Sequence, residues 1–338
     1  MNAPGVFPYP LLVADIGGTN ARFALSRSPG DQPRLAARLA TRAFPTFEEL
    51  LAKAVAACGA ERPRSLALCA AGPVAGRSMR LTNAPLAIDG PEIARAFRLE
   101  QGVLLNDFEA AALALAFVEP GEATPIGPEI SPGRGPRVVL GPGTGLGVAA
   151  LVIRDGALQP LPGEGGHVGI GPQDDEDEEF WPRIERIGGR VSAESLLSGP
   201  GLARLHAALA PRHAERADAS ADPPAITRRA LSGDCAHSRE TAQVFLKHLA
   251  RFSGDIGLVY GATGGVFIRG GVASALAPLI APEAFRAQFS DKPTVAAFAR
   301  TFPLARLRDD AAILRTLAAL GARPDRFTLD FASRLWRS

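Results

Sequence analysis

Residues 11–25 read LLVADIGGTNARFAL, and this stretch decides how the rest of the chain is interpreted. Two short apolar runs flank a turn rich in Gly, Thr and Asn, which predicts a strand, a tight turn and a returning strand. The glycines let backbone amides approach an anion closely, and the Thr and Asn side chains add donors. The turn is therefore either a phosphate-binding loop or no more than a hairpin turn. Its candidate ligand-binding residues are Asp15, Gly17, Gly18, Thr19 and Asn20.

The residues after this turn exclude two common nucleotide-binding motifs. Arg22 to Leu25 continue as a strand rather than a helix, and the spacing GxGxxG is missing, so a dinucleotide-binding fold is not indicated. The chain also contains no GK[ST] sequence, which excludes a P-loop.

A second hairpin pattern occurs at residues 137–152, RVVLGPGTGLGVAALV. Its glycine-dense turn, with Gly143, Thr144 and Gly145, is a second candidate phosphate loop, although glycine runs also form plain hairpins. A third turn, Gly270-Gly271, follows the apolar segment 265–269 and allows a nucleoside to approach the backbone. Two hairpins that open two halves of the chain favour a duplicated architecture.

The length and the order of the predicted elements indicate two lobes. A chain of 338 residues exceeds what one compact core usually supports, so a cleft between lobes is expected. A β-rich start followed by alternating strands and helices is typical of an α/β protein with mixed sheets. A segment rich in Pro and Gly, 119–136, separates residues 1–117 from residues 118–317. A helix over about 318–338 is expected to complete the first lobe.

Polar side chains stand at three further places where a ligand could bind. Asn106 and Asp107 follow an apolar strand and precede a helix, so they either bind a ligand at the strand end or cap the helix. Glu164 and His167 lie in a glycine-rich loop that suits a polyol, although a lone histidine is more often structural. Glu194 stands at a helix start, where it adds a carboxylate to the site or caps the helix.

The composition narrows the partners and the compartment. The net charge is only +2 and the arginines form no stripe, which argues against nucleic acid as the main partner. Three cysteines without metal-ligand spacing suggest neither disulfides nor zinc and fit a reducing, cytoplasmic location. No secretory signal is evident, and the apolar run 110–118 is well short of the ~20 residues that a membrane span requires. The acidic run 174–179 is interpreted as a solvated first turn of a helix rather than a metal site.

Taken together, these motifs resemble those of the bacterial glucokinase family, over about residues 11 to 310. The matching stretches, in order, are VADIGGTNARFAL, LLNDFEAAALA, LGPGTGLGVA, LPGEGGHVG, VSAESLLSGPGL and GGVFIRGGV. The resemblance implies a two-domain ribonuclease-H-like (actin-like ATPase) fold with mixed sheets and an interlobe active-site cleft. It also implies phosphorylation of D-glucose at the 6-hydroxyl by ATP, and a homodimer.

The resemblance assigns roles to individual residues of this chain. Asn106, Asp107, Glu164, His167 and Glu194 would hold the hexose, with Asp107 as catalytic base. Asp15 and the Gly17 to Asn20 loop would face the phosphates and Mg²⁺, with Asp15 contacting the metal through water or phosphate. Gly143, Thr144 and Gly145 would bind the other side of the phosphates, and Gly270 and Gly271 the adenosine. Zinc is not expected, because Val168-Gly169-Ile170 stands where related kinases and repressors carry a cysteine-rich motif.

Two departures and two rival functions accompany the resemblance. The family's Gly-rich stretch on the adenine side is replaced here by Asp309 to Arg315, DDAAILR, and the tail after Ala322 is assigned no role. One rival is a kinase for fructose, mannose or an N-acetylated amino sugar. The other is a non-catalytic sugar-sensing regulator, against which the presence of Asp107 argues.

Overall fold

The computed structural model describes residues 4–213, 222–308 and 311–337. The chain forms two compact units: residues 1–120, 151–161 and 309–338 make the first, and residues 121–150 and 162–308 make the second. Of the segment predicted to affect the adenine side, Asp309 and Asp310 lie outside the described residues.

The strands are β1 (Leu11–Ile16), β2 (Asn20–Ser26), β3 (Arg34–Ala40), β4 (Ser65–Ala70), β5 (Val74–Ala75), β6 (Ser78–Arg80), β7 (Ala87–Asp89), β8 (Gln101–Asn106), β9 (Ala123–Pro125), β10 (Arg137–Pro142), β11 (Leu146–Arg154), β12 (Ala157–Gly163), β13 (Gly265–Ile268), β14 (Leu304–Leu307) and β15 (Leu335–Arg337). The helices are α1 (Phe47–Ala57), α2 (Gly90–Phe97), α3 (Asp107–Ala114), α4 (Asp175–Phe180), α5 (Ala193–Leu196), α6 (Gly199–Leu209), α7 (Pro223–Ser232), α8 (Ala236–Tyr260), α9 (Gly271–Leu276), α10 (Pro282–Ser290), α11 (Ala296–Ala299), α12 (Ala311–Ala322) and α13 (Phe331–Arg334).

The first unit is built on a mixed sheet with the strand order β15-β8-β4-β1-β2-β3. Strands β1 and β2 pair antiparallel, which confirms the hairpin predicted from residues 11–25. Strands β1, β4 and β8 run parallel, and all the residues of β1 and β4 are buried. Continuous burial is expected of parallel strands that are covered on both faces, which explains why these segments lack alternation in sequence.

Helices α1 and α2 form where the sequence supplies both a cap and an apolar stripe. Thr46 and Asp89 are their N-caps, and each side chain accepts a backbone N–H of the first turn. Helix α1 buries Phe47, Leu50, Leu51 and Ala54, a spacing that places all four on one helical face.

The C-terminal segment differs from its prediction. Helix α12 ends at Ala322, so the helix expected over 318–338 is wrong for most of its length. Pro324 follows at once, and a proline cannot continue a helix because it lacks the backbone N–H. The rest of the described tail forms α13 and then β15, which pairs antiparallel with β8.

A second six-stranded sheet has the order β12-β11-β10-β13-β14-β9. Its strands β9, β10, β13 and β14 lie in the second unit. Strands β10, β13 and β14 run parallel, and the short strand β9 inside the Pro- and Gly-rich segment pairs antiparallel with β14. The long helix α8 begins at Ala236, with Cys235 as N-cap. Within the described ranges, no helix combines the length and the apolar character that a membrane crossing requires.

Residues 151–161 were predicted in the second lobe but cluster with the first unit. The physical reason is a pairing between distant segments: Leu158 forms a parallel bridge with Phe327, and its carbonyl accepts the N–H of Thr328 at 2.9 Å.

A helix begins in the acidic run 174–179, as predicted: Asp174 is the N-cap of α4. Its first turn, however, is not simply solvated. Asp177 is fully buried, with its carboxylate 2.8 Å from both Lys247 Nζ and Arg251 Nη1 and 3.1 Å from His248 Nε2. Asp174, Glu176 and Asp177 stand close enough together to ligate a metal ion. Lys247 and Arg251 form ion pairs with this cluster, so we interpret it as the ionic attachment of α4 to α8.

Candidate active site

The first glycine turn is held tightly by backbone hydrogen bonds. The N–H of Gly17 donates to the carbonyl of Asn20 at 2.9 Å, and the hydroxyl of Thr41 donates to the carbonyl of Gly17 at 2.7 Å. A Cβ at Gly18 would lie 2.9 Å from the Cβ of Asn83, so a side chain at this position would force a shift. Thr19 and Asn20 are exposed and can meet a ligand.

Asp15 lies near the end of β1, directly before this turn, and is nearly buried. Its carboxylate forms an ion pair with Arg22, which stands opposite it in the β1–β2 register. Its Oδ1 also accepts a hydrogen bond from the thiol of Cys69 at 3.5 Å.

The register of the parallel strands brings Asn106 to the same sheet edge. Ile16 pairs with Ala70, and Ala70 pairs with Asn106, so β1, β4 and β8 end side by side. The carboxyl ends of parallel strands are where α/β proteins bind ligands. Asp15, Asn106 and Asp107 therefore share one edge of the first sheet.

Asn106, rather than Asp107, is the N-cap of α3. Its Oδ1 accepts the N–H groups of Phe108 at 2.9 Å and Glu109 at 3.2 Å, and its Nδ2 donates to the carbonyl of Gly72 at 2.8 Å. A side-chain amide has two N–H groups, so one remains for a ligand. Asp107 is the half-buried first residue of the helix. Capping and ligand binding are thus compatible at this strand end.

The second glycine turn is tied to the start of α6. The N–H of Gly143 donates to the carbonyl of Gly145 at 2.8 Å, and the N–H of Gly199 donates to the carbonyl of Gly143 at 2.7 Å. Apart from the two chain neighbours of Gly143, no atom of the described residues lies within 4 Å of a Cβ built on it. The space beside Gly143 can therefore receive a ligand.

Glu194 does not cap a helix. Helix α5 is capped by Ser192, which forms a reciprocal capping box with Ser195. The Oε2 of Glu194 instead accepts the N–H of Leu146 at 2.9 Å, and a Cβ on Gly145 would lie 2.4 Å from that oxygen. The capping interpretation is wrong here, and Gly145 is small because a carboxylate passes beside it.

Glu164 and His167 lie on either side of a single turn. The N–H of His167 donates to the carbonyl of Glu164 at 2.9 Å, and His167 Nε2 lies 3.7 Å from Glu164 Oε2. Both side chains are largely exposed, at 60% for His167 and 88% for Glu164. The turn packs closely on β11, because a Cβ on Gly166 would lie 2.0 Å from the carbonyl oxygen of Leu146. The loop is therefore fixed while its polar side chains stay accessible.

A cavity of about 280 Å³ in the second unit brings several candidate residues together. It combines a residue of the second phosphate loop with two predicted sugar-binding residues. Of the described residues, those that line it are Thr144, His167, Ile187, Arg190, Ser192, Glu194, Ser195, Ser198, Pro200 and Arg204. Glu164, Gly270 and Gly271 do not line it. Most of the lining residues carry polar side chains that can form hydrogen bonds, which suits a small polyhydroxylated ligand.

Gly270 and Gly271 follow β13, beside β10 in the sheet. Gly270 has φ +98° and a Cβ on it would lie 2.4 Å from the carbonyl oxygen of Pro142, so only glycine fits there. Gly271 begins α9 and has open space on its Cβ side. The first glycine is needed by the fold, and the second leaves room for a ligand.

Sequence reasoning missed two contacts that orient the site. The pairing of Arg22 with Asp15 could have been found from the hairpin, because a turn centred on residues 18–19 places them opposite each other. Arg190, which donates to the carbonyl of His167 at 2.9 Å, gave no signal, because the two residues belong to different loops.

The comparisons with known proteins agree with this fold. The family model described as Glucokinase matches residues 12–322. The glucokinase of Sinorhizobium medicae is 41% identical over 331 residues, covering 98% of this chain and 97% of that protein. The crystal structure of a glucokinase from an Antarctic psychrotroph superposes with a TM-score of 0.79 at 29% identity, covering 91% of this chain and 97% of that one. The crystal structure of the Balamuthia mandrillaris glucokinase in complex with glucose superposes with a TM-score of 0.76 at 22% identity, covering 93% of each chain. At this identity the similarity is evidence for the fold alone.

The fold and these similarities show that the protein is a sugar kinase with the two-domain actin-like ATPase fold. Within that class, the chain belongs to the glucokinase family, whose members are ATP-dependent hexose kinases.

Proposed function

We propose that this chain transfers the terminal phosphate of ATP to the 6-hydroxyl of D-glucose, with Asp107 as the catalytic base. The observation that carries the proposal is the shared sheet edge of Asp15, Asn106 and Asp107, because it sets a candidate base beside a candidate phosphate loop. Phosphoryl transfer requires mainly alignment and charge neutralisation from the protein, so one base and preorganised loops are a sufficient set.

Five polar residues are proposed to hold the hexose: Asn106, Asp107, Glu164, His167 and Glu194. The remaining N–H of Asn106 and the exposed Glu164 and His167 supply directed hydrogen bonds to hydroxyls. Asp107 accepts the proton of the attacking hydroxyl as the new O–P bond forms, which contributes about 10²- to 10⁴-fold in rate.

Glycines and short side chains are proposed to bind the nucleotide. Gly17 to Asn20 and Gly143 to Gly145 face the phosphates, and Gly270 and Gly271 approach the adenosine. The open Cβ sides of Gly143 and Gly271 support this assignment, because in the part of the chain that the structure describes no atom fills that space.

Asp15 is proposed to contact the Mg²⁺ that accompanies ATP, through water. Its carboxylate is a hard oxygen donor, which Mg²⁺ prefers. Arg22 and Cys69 each engage one of its oxygens, and a carboxylate offers about four acceptor sites, so acceptor sites remain for a metal-bound water. The ion would offset the negative charge of the phosphates.

A panel of hexoses in an ADP-release assay tests the proposed substrate. Glucose should give the highest kcat/KM, above fructose, mannose and N-acetylglucosamine. A higher kcat/KM for one of these three would reassign the substrate, and no turnover of any sugar would support the sugar-sensing alternative.

The chain is also proposed to act as a homodimer in the cytoplasm, as the family resemblance implies. Among the described residues, Cys58, Cys69 and Cys235 are not joined by disulfides, which suits a reducing compartment.

A further inference from the structure

We propose that Arg334, in the C-terminal tail, is a positioning residue that acts through Glu109 on Asn106 and Asp107. The inference rests on the proposed function, because it assumes that the start of α3 carries the sugar-binding amide and the base. It gives a role in catalysis to a tail to which the sequence assigned none.

Glu109 links the tail to the strand end. Its Oε2 lies 2.5 Å from Arg334 Nη1 and also accepts the backbone N–H of Asn106 at 3.4 Å. In return, the Asn106 side chain accepts the N–H of Glu109, which closes a capping box around Asp107. One carboxylate oxygen therefore connects the Arg334 guanidinium to the backbone that carries the proposed base.

The tail itself is firmly anchored, so it can serve as a fixed support. Strand β15 pairs with β8, the strand that ends at Asn106. Trp336 is almost fully buried, and its ring packs directly on Gly90 and Gly102. A Cβ on Gly90 would lie only 2.4 Å from the ring, and one on Gly102 only 2.3 Å. At the other end of α13, Asp330 caps the helix by accepting the N–H of Ser333. Arg334 is thus held between a helix and a paired strand.

Because the ion pair between Glu109 and Arg334 is largely buried, its loss should disturb the structure more than the loss of a surface ion pair would. The side chain of Glu109 is only 4% exposed and that of Arg334 is 21% exposed. A buried carboxylate that loses its partner must find water or another donor, and its side chain then moves. Since Glu109 also holds the Asn106 N–H, we expect the first turn of α3 to shift with it. A displacement of about 1 Å at a reacting group can cost 10²-fold in rate.

The experiment compares Arg334→Gln with Arg337→Gln, an equal loss of charge on an exposed side chain of the same tail. Steady-state kinetics with glucose and ATP varied separately, well below the melting temperature, should show kcat/KM for glucose reduced about tenfold or more in Arg334→Gln. The KM for ATP should change less than twofold, and Arg337→Gln should match the wild type. Equal effects of the two variants, or a rise in the KM for ATP as large as any rise in the KM for glucose, would overturn the proposal.

A second variant guards against a simple folding defect. Glu109→Gln combined with Arg334→Gln leaves no uncompensated carboxylate, and the side-chain amide introduced by Glu109→Gln still offers an acceptor to the Asn106 N–H. The double variant should recover at least threefold of the glucose kcat/KM that the single Arg334→Gln variant loses. Absence of recovery would contradict the proposed route through Glu109.

The Asp107→Asn variant distinguishes a failure of the proposed function from a failure of the positioning role alone. If Asp107→Asn keeps its turnover, the proposed function fails. If Asp107→Asn is inactive while Arg334→Gln behaves like Arg337→Gln, only the positioning role fails.

Discussion

The glycines of the candidate site differ in what surrounds them, so different physical causes explain why each is a glycine. Gly143 has open space where a side chain would stand, whereas Gly145 lies against the carboxylate of Glu194. The sequence predicted both as parts of one phosphate loop, but it could not separate them. Glu194 is distant in the chain, and its contact with the loop exists only once α5 has folded beside it.

This difference gives a paired prediction for Gly143→Ala and Gly145→Ala. Gly143→Ala should leave the melting temperature unchanged and raise the KM for ATP, because its methyl group enters only the space proposed for phosphate. Gly145→Ala should displace the Glu194 carboxylate and break its hydrogen bond to the Leu146 N–H, a loss of about 1–3 kcal/mol. Its KM for glucose should therefore rise.

Thermal melts and steady-state kinetics on both variants provide the check. A Gly143→Ala variant with wild-type affinity for ATP would show that no phosphate lies there. A Gly145→Ala variant with unchanged KM for glucose would remove Glu194 from the sugar site.

Elements whose signals are local could be predicted well. The two hairpins, the capped helix α1 and the strand before Asn106 all carry their turn, cap or apolar pattern within a few residues. Strand β15 could not be predicted, because three residues, LWR, become a strand only through pairing with β8. The tail lies far from β8 in sequence, so no local pattern indicates the pairing.

The burial of Asp177 was also beyond sequence reasoning. Six acidic residues in a row look solvated, yet α4 turns one of them toward Lys247, His248 and Arg251 of α8. Burial alone would raise the pKa of Asp177, but hydrogen bonds and charge from His248 and Lys247 outweigh it and hold the pKa below its ordinary value.

Asp177→Asn should therefore destabilise the second unit by about 1–3 kcal/mol, because Lys247 and Arg251 lose their contacts to a buried carboxylate and keep only those to more exposed acidic residues. Asp175→Asn, an exposed change in the same helix turn, is the matched control and should cost little. Urea unfolding of the two variants measures the difference.

The Asp177 carboxylate also makes the free energy of unfolding depend on pH in the acidic range. Its pKa is lowered in the folded state, so its stabilising effect is fully present above the ordinary Asp pKa of about 4 and is lost as the pH falls below that value. The wild-type protein should lose more stability than Asp177→Asn between pH 5 and pH 3, taken as a range around about 4. Parallel losses in the two proteins would contradict this role of Asp177.

At the scale of the whole molecule, the sequence predicted two α/β lobes, and the chain folds into two compact units. The N-terminal segment of the first unit ends at 120, against a predicted 117, whereas residues 151–161 belong to a different unit from the one expected. A contiguous assignment failed there because the β11–β12 hairpin joins the C-terminal segment through the pairing of Leu158 with Phe327. Composition shifts can mark a linker, but they carry no information on such a long-range pairing.

In the candidate site, too, local motifs could be predicted from the sequence, whereas contacts between distant segments could not. Motif resemblance named every proposed site residue, and the parallel register then set Asp15 and Asn106 at one sheet edge. The cavity at Thr144, His167 and Glu194 forms only when two loops and helix α5 fold together, so the sequence could list its members but not their arrangement.

Turnover and glucose binding by Asp107→Asn together test the central claim most directly. The amide cannot accept the hydroxyl proton as a base, so kcat should fall by about 10²-fold or more, while calorimetry should still detect glucose binding. Asp155→Asn, at an exposed turn of the first unit, serves as the control and should match the wild type. An Asp107→Asn enzyme that phosphorylates glucose at the wild-type rate would contradict the account.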